Sequence, residues 1–395
     1  VRVIIDAISI GSGGGQRYVD GLVPALIASR TDWNFLVLVK EAKFNCGTAD
    51  GNPLIVRLPG VVCKFPIRLI AQQCAIPILA WMTRARVVLS LSDIGPIWSP
   101  VPVLATVANA FIYRALSQDV EYRLSKADLP FVDRIRTRGL AVISKLFLRR
   151  AKGLIFWTAA SKREVERLIM KEVPSAVIHN GEPFRETASG LALGSRKKQI
   201  LCVSTIVRYR NQLRLVCAFH ELLKSDMRSK EFSLLLIGDV CDAQYASSIR
   251  EFVKENQLQG YVRMLGNLPY AQVQDYYRES WALIFPSRVE TYGFPVVEGL
   301  FNAIPMGVSD IPPFRELAGG AAIYFDPNSV DSIRAGMERL LWDDKLRQGL
   351  LEAAKEERQK YSWEVTGGRT ARMIEKVLHF GGVERAGEPG GKQVA

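Results

Sequence analysis

The chain has 395 residues, with 52 Lys and Arg against 40 Asp and Glu, for a formal net charge of +12. Hydrophobic residues make up 48% and charged residues 23%, which excludes extensive disorder and a fibrous repeat. At about 150 residues per domain the length gives two domains, or three. No apolar run reaches the roughly 18 residues of a membrane span; the most apolar stretch, 69–82, carries Gln72, Gln73 and Pro77. The chain enters directly on Val1-Arg2-Val3-Ile4-Ile5-Asp6, with no charged-then-apolar leader pattern, so a cytoplasmic location is expected. The cysteines, at 46, 63, 74, 202, 217 and 241, form no CxxC pair, and only three histidines are present, so neither a disulfide framework nor a metal site is expected.

Residues 1–10 are apolar and branched and read as a buried strand of a parallel sheet. The cluster Gly11-Ser12-Gly13-Gly14-Gly15 follows, and then Tyr18, Val19, Leu22, Val23, Leu26 and Ile27 recur at helical spacing. With a strand over 34–39, the chain opens as a βαβ unit. Further strands are expected at 54–58, 87–91, 103–107, 154–158 and 176–179, a basic helix over 130–152 and another over 162–170. The polar stretch 185–198 reads as a linker. Beyond it, strands over 200–204, 233–237, 262–265, 282–285, 306–308 and 322–325 alternate with helices near 211–224, 243–256, 270–279, 295–303, 330–342 and 344–360. A last helix spans about 363–379, and the Gly-rich tail 381–395 reads as disordered. The pattern is that of two doubly wound α/β halves, whose ligands bind beyond the carboxyl ends of the strands.

The strongest chemical signal is Phe285-Pro286-Ser287-Arg288-Val289-Glu290-Thr291-Tyr292-Gly293-Phe294-Pro295-Val296-Val297-Glu298, which leaves a strand end and enters a helix. Gly293 permits backbone angles denied to other residues, and Pro295 suits the first helical position. The amides of Tyr292, Gly293 and Phe294 then stand at a helix N-terminus, a site for phosphate. Glu298, one turn in, is placed to accept hydrogen bonds from sugar hydroxyls, and Glu290 precedes the turn. An ordinary strand-turn-helix remains the plain alternative.

Two carboxylates spaced E-x7-E around Gly and Pro resemble the donor-site motif of retaining glycosyltransferases of family 4, which have the GT-B fold. Ile304-Pro305-Met306-Gly307-Val308-Ser309-Asp310-Ile311-Pro312-Pro313-Phe314-Arg315-Glu316, Tyr324-Phe325-Asp326-Pro327 and Tyr361-Ser362-Trp363-Glu364 resemble further family segments. The likeness is close over about 200–380 and looser over 1–190. It implies two Rossmann-like parallel-sheet domains facing a cleft: an acceptor-binding domain over 1–190, a nucleotide-sugar-binding domain over 191–365, and a C-terminal helix over 366–380. It also implies that Glu290 contacts the transferred sugar and Glu298 the ribose, with the amides of Tyr292, Gly293 and Phe294 facing sugar and phosphates. In Val203-Ser204-Thr205-Ile206-Val207-Arg208-Tyr209-Arg210-Asn211-Gln212, Arg210 stands where the family has a lysine that neutralises the diphosphate. Thr205 stands where it has an arginine, with Arg208 as a substitute. Gly14 and Gly15 resemble the family's N-terminal glycine loop, which contacts the diphosphate or the reacting sugar. In Thr106-Val107-Ala108-Asn109-Ala110-Phe111, Ala108 replaces a frequent cleft histidine and leaves Asn109 as the candidate.

The resemblance implies a retaining hexosyl transfer from a GDP- or UDP-sugar to a glycan or lipid-linked acceptor in bacterial surface-polysaccharide assembly, by front-face displacement. No Asp-x-Asp motif is present, so no metal or other cofactor is expected. A sugar-nucleotide epimerase on the same fold and an inactive GT-B binding protein remain alternatives. Residues 1–190 hold 25 Lys and Arg against 15 Asp and Glu, and the remainder 27 against 25. A basic first half can attract nucleic acid, an anionic membrane surface or a polyphosphate ligand; beside the lipid-linked acceptor that the resemblance implies, the expected partner is an anionic membrane surface, through Arg134, Arg136, Arg138, Lys145, Arg149 and Arg150, and not nucleic acid.

Overall fold

A computed structural model describes residues 1–10, 14–40, 53–61, 66–108, 131–181 and 193–383, with backbone only for 131–137, 193 and 380–383. It divides into two compact units, residues 1–181 with 361–395, and residues 182–360.

In the first unit the elements are β1 (Arg2–Asp6), α1 (Gly14–Ser29), β2 (Asn34–Lys40), β3 (Leu54–Leu58), α2 (Ile67–Met82), β4 (Val87–Ser90), β5 (Val103–Val107), α3 (Phe131–Arg150), β6 (Gly153–Phe156), α4 (Ala159–Ile169) and β7 (Ser175–Val177). The seven strands form a parallel sheet of order β3-β2-β1-β4-β5-β6-β7. Every residue of β4, β5 and β6 is buried, as expected of strands covered by helices on both faces. The order reverses between β1 and β4, so a switch point lies beside Asp6 and Ser90.

The second unit contains β8 (Lys197–Val203), α5 (Gln212–Ser225), β9 (Ser233–Ile237), α6 (Ala243–Glu255), β10 (Val262–Gly266), α7 (Tyr270–Glu279), β11 (Ser280–Phe285), α8 (Phe294–Phe301), β12 (Met306–Ser309), α9 (Pro312–Ala318), β13 (Ala322–Phe325), α10 (Val330–Trp342) and α11 (Asp344–Glu357). Its strands pair in parallel in the order β10-β9-β8-β11-β12-β13, with the switch point between β8 and β11. The strand β8 starts at Lys197, three residues before the apolar run. Lys197 and Lys198 are outward-facing and pair with Glu279 and Glu231. Of the expected linker 185–198, residues 185–192 lie outside the described residues, as does the tail 384–395.

The last helix, α12 (Trp363–Val383), packs within the first unit. A Cβ on Gly21 of α1 would lie 2.0 Å from Trp363 Cε2, and one on Gly367 would lie 2.6 Å from the Ala25 backbone. Glycine at both positions therefore lets α1 and α12 approach closely, and Arg30 pairs with Glu375 farther along the contact. The resulting fold of the two units is α/β with two doubly wound parallel sheets, as the alternation of strands and helices predicts. Among the described residues no helix is long and apolar enough to cross a membrane.

Candidate functional site

The switch point of the second sheet is built from two loops, one after β8 and one after β11. They are tied together: the Arg288 amide donates to the Tyr209 carbonyl at 2.9 Å, and Ser287 Oγ donates to the same oxygen and to the Val289 carbonyl. Asn211, in the left-handed region at φ 66°, is buried and clamps the assembly. Its Nδ2 donates to the carbonyls of Pro286 and Pro327, at 3.1 and 2.7 Å, and its Oδ1 accepts from Arg214. Asparagine is among the few side chains that tolerate this backbone conformation.

This frame holds Arg210 against Glu290. The two form an ion pair, with side chains only 20% and 10% exposed. The guanidinium also lies over the rings of Tyr209 and Phe285, with centroids at 5.1 and 5.7 Å, and 3.5 Å from Ser287 Oγ. A planar, permanently charged fork stacked on aromatic faces is suited to a phosphate or a carboxylate. Arg208 does not join this pair. It faces Asp242 at 3.7 Å and the Tyr245 ring. The Thr205 carbonyl accepts from Gln212 Nε2 at 2.8 Å, so that position contributes a structural bond.

The turn into α8 follows the sequence-based expectation with one shift. Gly293 caps the helix at φ 106°, and the helix begins at Phe294, which makes Pro295 its second residue. A Cβ on Gly293 would lie 2.5 Å from Phe314 Cε1, so both conformation and space demand glycine. Tyr292 is buried with its ring edge-on to Phe294, centroids 5.2 Å apart. In an α-helix the first amides have no intrahelical acceptor and the dipole favours an anion there, so the Gly293–Phe294 end of α8 has the chemistry of a phosphate site.

Glu298 is the fifth residue of α8 and is fully buried. The Tyr277 hydroxyl of α7 donates to its Oε2 at 2.6 Å. Tyr277 is itself locked: Arg196 donates to the carbonyls of Ser280 and Ala303, at 3.0 and 2.7 Å, and reaches that of Tyr277 at 3.5 Å. Burial pushes this guanidinium down to about 10. Sequence reasoning missed Tyr277, and gave no role to Asn211 and Ser287 although both lie inside the quoted segments. Their long-range partners are 21 to 116 residues away in the chain.

In the first unit, Gly14 and Gly15 are the opening residues of α1, and a Cβ on Gly15 would meet Ile10 at 3.2 Å. Residues 11–13 and Asn109 lie outside the described residues. The neighbour of Asn109 is anchored, since the Ala108 amide donates to Asp93 Oδ1 at 2.8 Å. Asp93 is buried and was not singled out from sequence. Each of the three histidines has a contact within its own unit. His179 Nδ1 is 2.8 Å from the Trp157 carbonyl and its own carbonyl accepts from Thr366, His220 packs on Phe252, and His379 Nδ1 meets the Glu375 carbonyl.

Residues 184–357, which contain both loops and α8, match the family model described as glycosyl transferases group 1. Over this segment the chain is similar to that family. It is 28% identical over 155 residues to O-antigen chain mannosyltransferase B of Escherichia coli, covering 39% of this chain and 40% of the relative. The chain thus spans well under half the length of that relative. A sucrose-phosphate synthase from Thermosynechococcus elongatus superposes with a TM-score of 0.70 at 15% identity, over 96% of this chain and 99% of the other. HepE from Anabaena, in complex with UDP and glucose, superposes with a TM-score of 0.66 at 13% identity, over 95% and 99%. The fold of this chain is that of these GT-B proteins.

Proposed function

We propose that this chain is a retaining glycosyltransferase that moves a hexose from a nucleotide-activated sugar to a glycan or lipid-linked acceptor in bacterial surface-polysaccharide assembly. The observation that carries the reading is the switch point of the second sheet. Arg210 pairs with Glu290, the N-terminus of α8 follows three residues on at Gly293, and Glu298 lies on that helix, all inside the family segment. The second unit binds the donor and the first binds the acceptor. The relative from Escherichia coli is named for mannose transfer, so mannose is the hexose to test first.

In this reading Glu298 accepts hydrogen bonds from ribose hydroxyls, with Tyr277 fixing its rotamer. Glu290 holds hydroxyls of the transferred sugar. Arg210 and the amides of Gly293 and Phe294 counter the charge that builds on the departing diphosphate, an electrostatic contribution that is preorganised because both loops are clamped. The acceptor oxygen bonds to the anomeric carbon as the bond from that carbon to the phosphate oxygen breaks on the same face. The acceptor proton passes to the leaving phosphate oxygen. Neither carboxylate serves as a covalent nucleophile, unlike the two-carboxylate scheme of retaining glycosidases.

Calorimetric titration of UDP, GDP and their common sugars into wild type and Glu298→Ala tests this. Selective binding of one nucleotide, lost in the variant, supports the donor site, and a product with a new glycosidic bond separates transfer from epimerisation. Absence of binding to every nucleotide and nucleotide sugar overturns the reading in favour of a non-catalytic GT-B protein.

A further inference from the structure

We propose that Arg196 is the positioning residue of Glu298: it ties together the carboxyl ends of α7 and α8, so that the Tyr277 hydroxyl of one helix meets the Glu298 side chain of the other. The proposal rests on the reading of Glu298 as the ribose contact. Arg196 immediately precedes β8, is 4% exposed, and sends none of its hydrogen bonds to a carboxylate. Its fork spans two helix ends instead. Nη1 donates to the carbonyl of Ser280, which caps α7, at 3.0 Å, and reaches the Tyr277 carbonyl in the last turn of that helix at 3.5 Å. Nη2 donates at 2.7 Å to the carbonyl of Ala303, the residue after the α8 cap.

The carbonyls at a helix end lack intrahelical partners, and a cation suits the negative end of the dipole. The bonded positions also adjoin both supports of Glu298. Tyr277 supplies the hydroxyl 2.6 Å from its Oε2. The amide and Nδ2 of the buried Asn302 both donate to the Glu298 carbonyl, at 3.0 and 2.9 Å, and Ala303 is the next residue. Ala303 holds φ 46°, a left-handed conformation unfavourable for alanine, where the chain turns from α8 toward β12. Arg196 therefore steadies this strained turn and the last turn of α7 with one side chain.

Filling space would not call for a charge here. A buried cation without a counter-ion is costly, and a second buried arginine, Arg347, adds its repulsion. Arg347 has its own partners, Asp344 and the Trp281 ring, whose centroid lies 4.0 Å from its Cζ. An apolar side chain at 196 would avoid the cost of the charge but could not hydrogen-bond to carbonyls at two helix ends at once. A planar fork with several donors can. What that fork fixes is the relation between α7 and α8, and with it the Tyr277–Glu298 contact.

The test is calorimetric titration of UDP and GDP beside 2′-deoxy-UDP and 2′-deoxy-GDP, with pyrophosphate as control, into wild type, Glu298→Ala, Arg196→Gln and Arg196→Lys. Wild type is expected to favour the ribonucleotide by about tenfold or more, the worth of a hydrogen bond to a charged group, and Glu298→Ala to lose that preference. Arg196→Gln should lose most of the preference while pyrophosphate binds as in wild type, because Arg210 and the amino end of α8 are not tied to Arg196. Arg196→Lys keeps the charge and is the variant to read should Arg196→Gln fail to fold. Its single nitrogen does not reproduce the fork, so it should lose part of the preference with pyrophosphate again unchanged. A merely structural role would lower affinity for ribonucleotide, deoxynucleotide and pyrophosphate alike, or leave all three as in wild type. Either result overturns the proposal and leaves the ribose reading standing, provided Glu298→Ala has lost the preference. A wild type that does not prefer the ribonucleotide, or a Glu298→Ala that still does, overturns the ribose reading and the proposal with it.

Discussion

Arg210 and Glu290 face each other across the switch point of the second sheet as an ion pair, one on the loop after β8 and the other on the loop after β11. In the proposed donor complex the two part company, the guanidinium turning to the diphosphate and the carboxylate to sugar hydroxyls. The pair thus positions both side chains, and in the proposed complex the donor replaces it. Arg210→Ala is expected to weaken binding of the bare nucleoside diphosphate by about tenfold to a hundredfold, the loss of one charge-assisted contact. Glu290→Gln should leave that binding equal or tighter, because it frees Arg210, yet slow transfer by about a hundredfold. Calorimetry read beside product formation checks both. Equal loss of nucleotide affinity in the two variants would assign Glu290 to the phosphates and refute this division of roles.

The second prediction concerns the fully buried Glu298 and the Tyr277 hydroxyl 2.6 Å from its Oε2. Tyr277→Phe keeps the ring and removes the donor. It is expected to destabilise the fold by about 1–3 kcal/mol, the usual cost of taking one partner from a buried polar group. Nucleotide affinity should also fall while bare pyrophosphate binds unchanged, since the contact orients the proposed ribose carboxylate and not the phosphate site. Denaturant unfolding and paired titrations of nucleotide and pyrophosphate report the two effects.

Gly293 supports a third. Its φ of 106° and the 2.5 Å approach of Phe314 to a would-be Cβ mean that Gly293→Ala must shift the turn or the phenylalanine. The expected cost is about 1–3 kcal/mol in stability, as for other strained backbone positions. Nucleotide binding should suffer with it, because the amides at the start of α8 move. Phe314→Leu in the same background should recover part of the stability by making room; no recovery would place the strain in the backbone alone.

How much of this was readable in advance follows from which interactions are local. The strands and helices of the second unit stand out because buried strands and amphipathic helices alternate cleanly, and the turn at Gly293 is written in adjacent residues. The helix α2 was not legible for a physical reason. Its polar Gln72 points inward to Asp6 and the Ile94 carbonyl, while Ile70, Ile78 and Trp81 point outward. That inverts the polarity on which helical periodicity depends, and Pro77 interrupts it. The short helix α9 is not among the helices that periodicity gives, because it spans only seven residues and Pro312 and Pro313 open it. Tyr277, Asn211 and Asp93 act through contacts distant in sequence, which a single chain does not display.

Asp6 gives the last prediction. It sits at the switch point of the first sheet, fully buried, and accepts from Gln72 Nε2 at 3.0 Å, Ser90 Oγ at 3.3 Å and the Ile8 amide at 3.2 Å. Burial is the dominant influence and raises its pKa above the ordinary 3.8, against the lowering effect of these donors and of Arg68. Between 3.8 and the raised value the folded chain holds a proton that the unfolded chain has released. Stability from this group is therefore complete below pH about 3.8 and declines as pH rises through the folded pKa. Asp6→Asn keeps the size and a carbonyl acceptor and removes the titration. Its stability relative to wild type is expected to climb with pH above 3.8 and then level off. Paired denaturant unfolding curves from pH 4 upward measure this difference. A gap that stays constant, or that closes as pH rises, would show that the carboxylate's hydrogen bonds outweigh its burial.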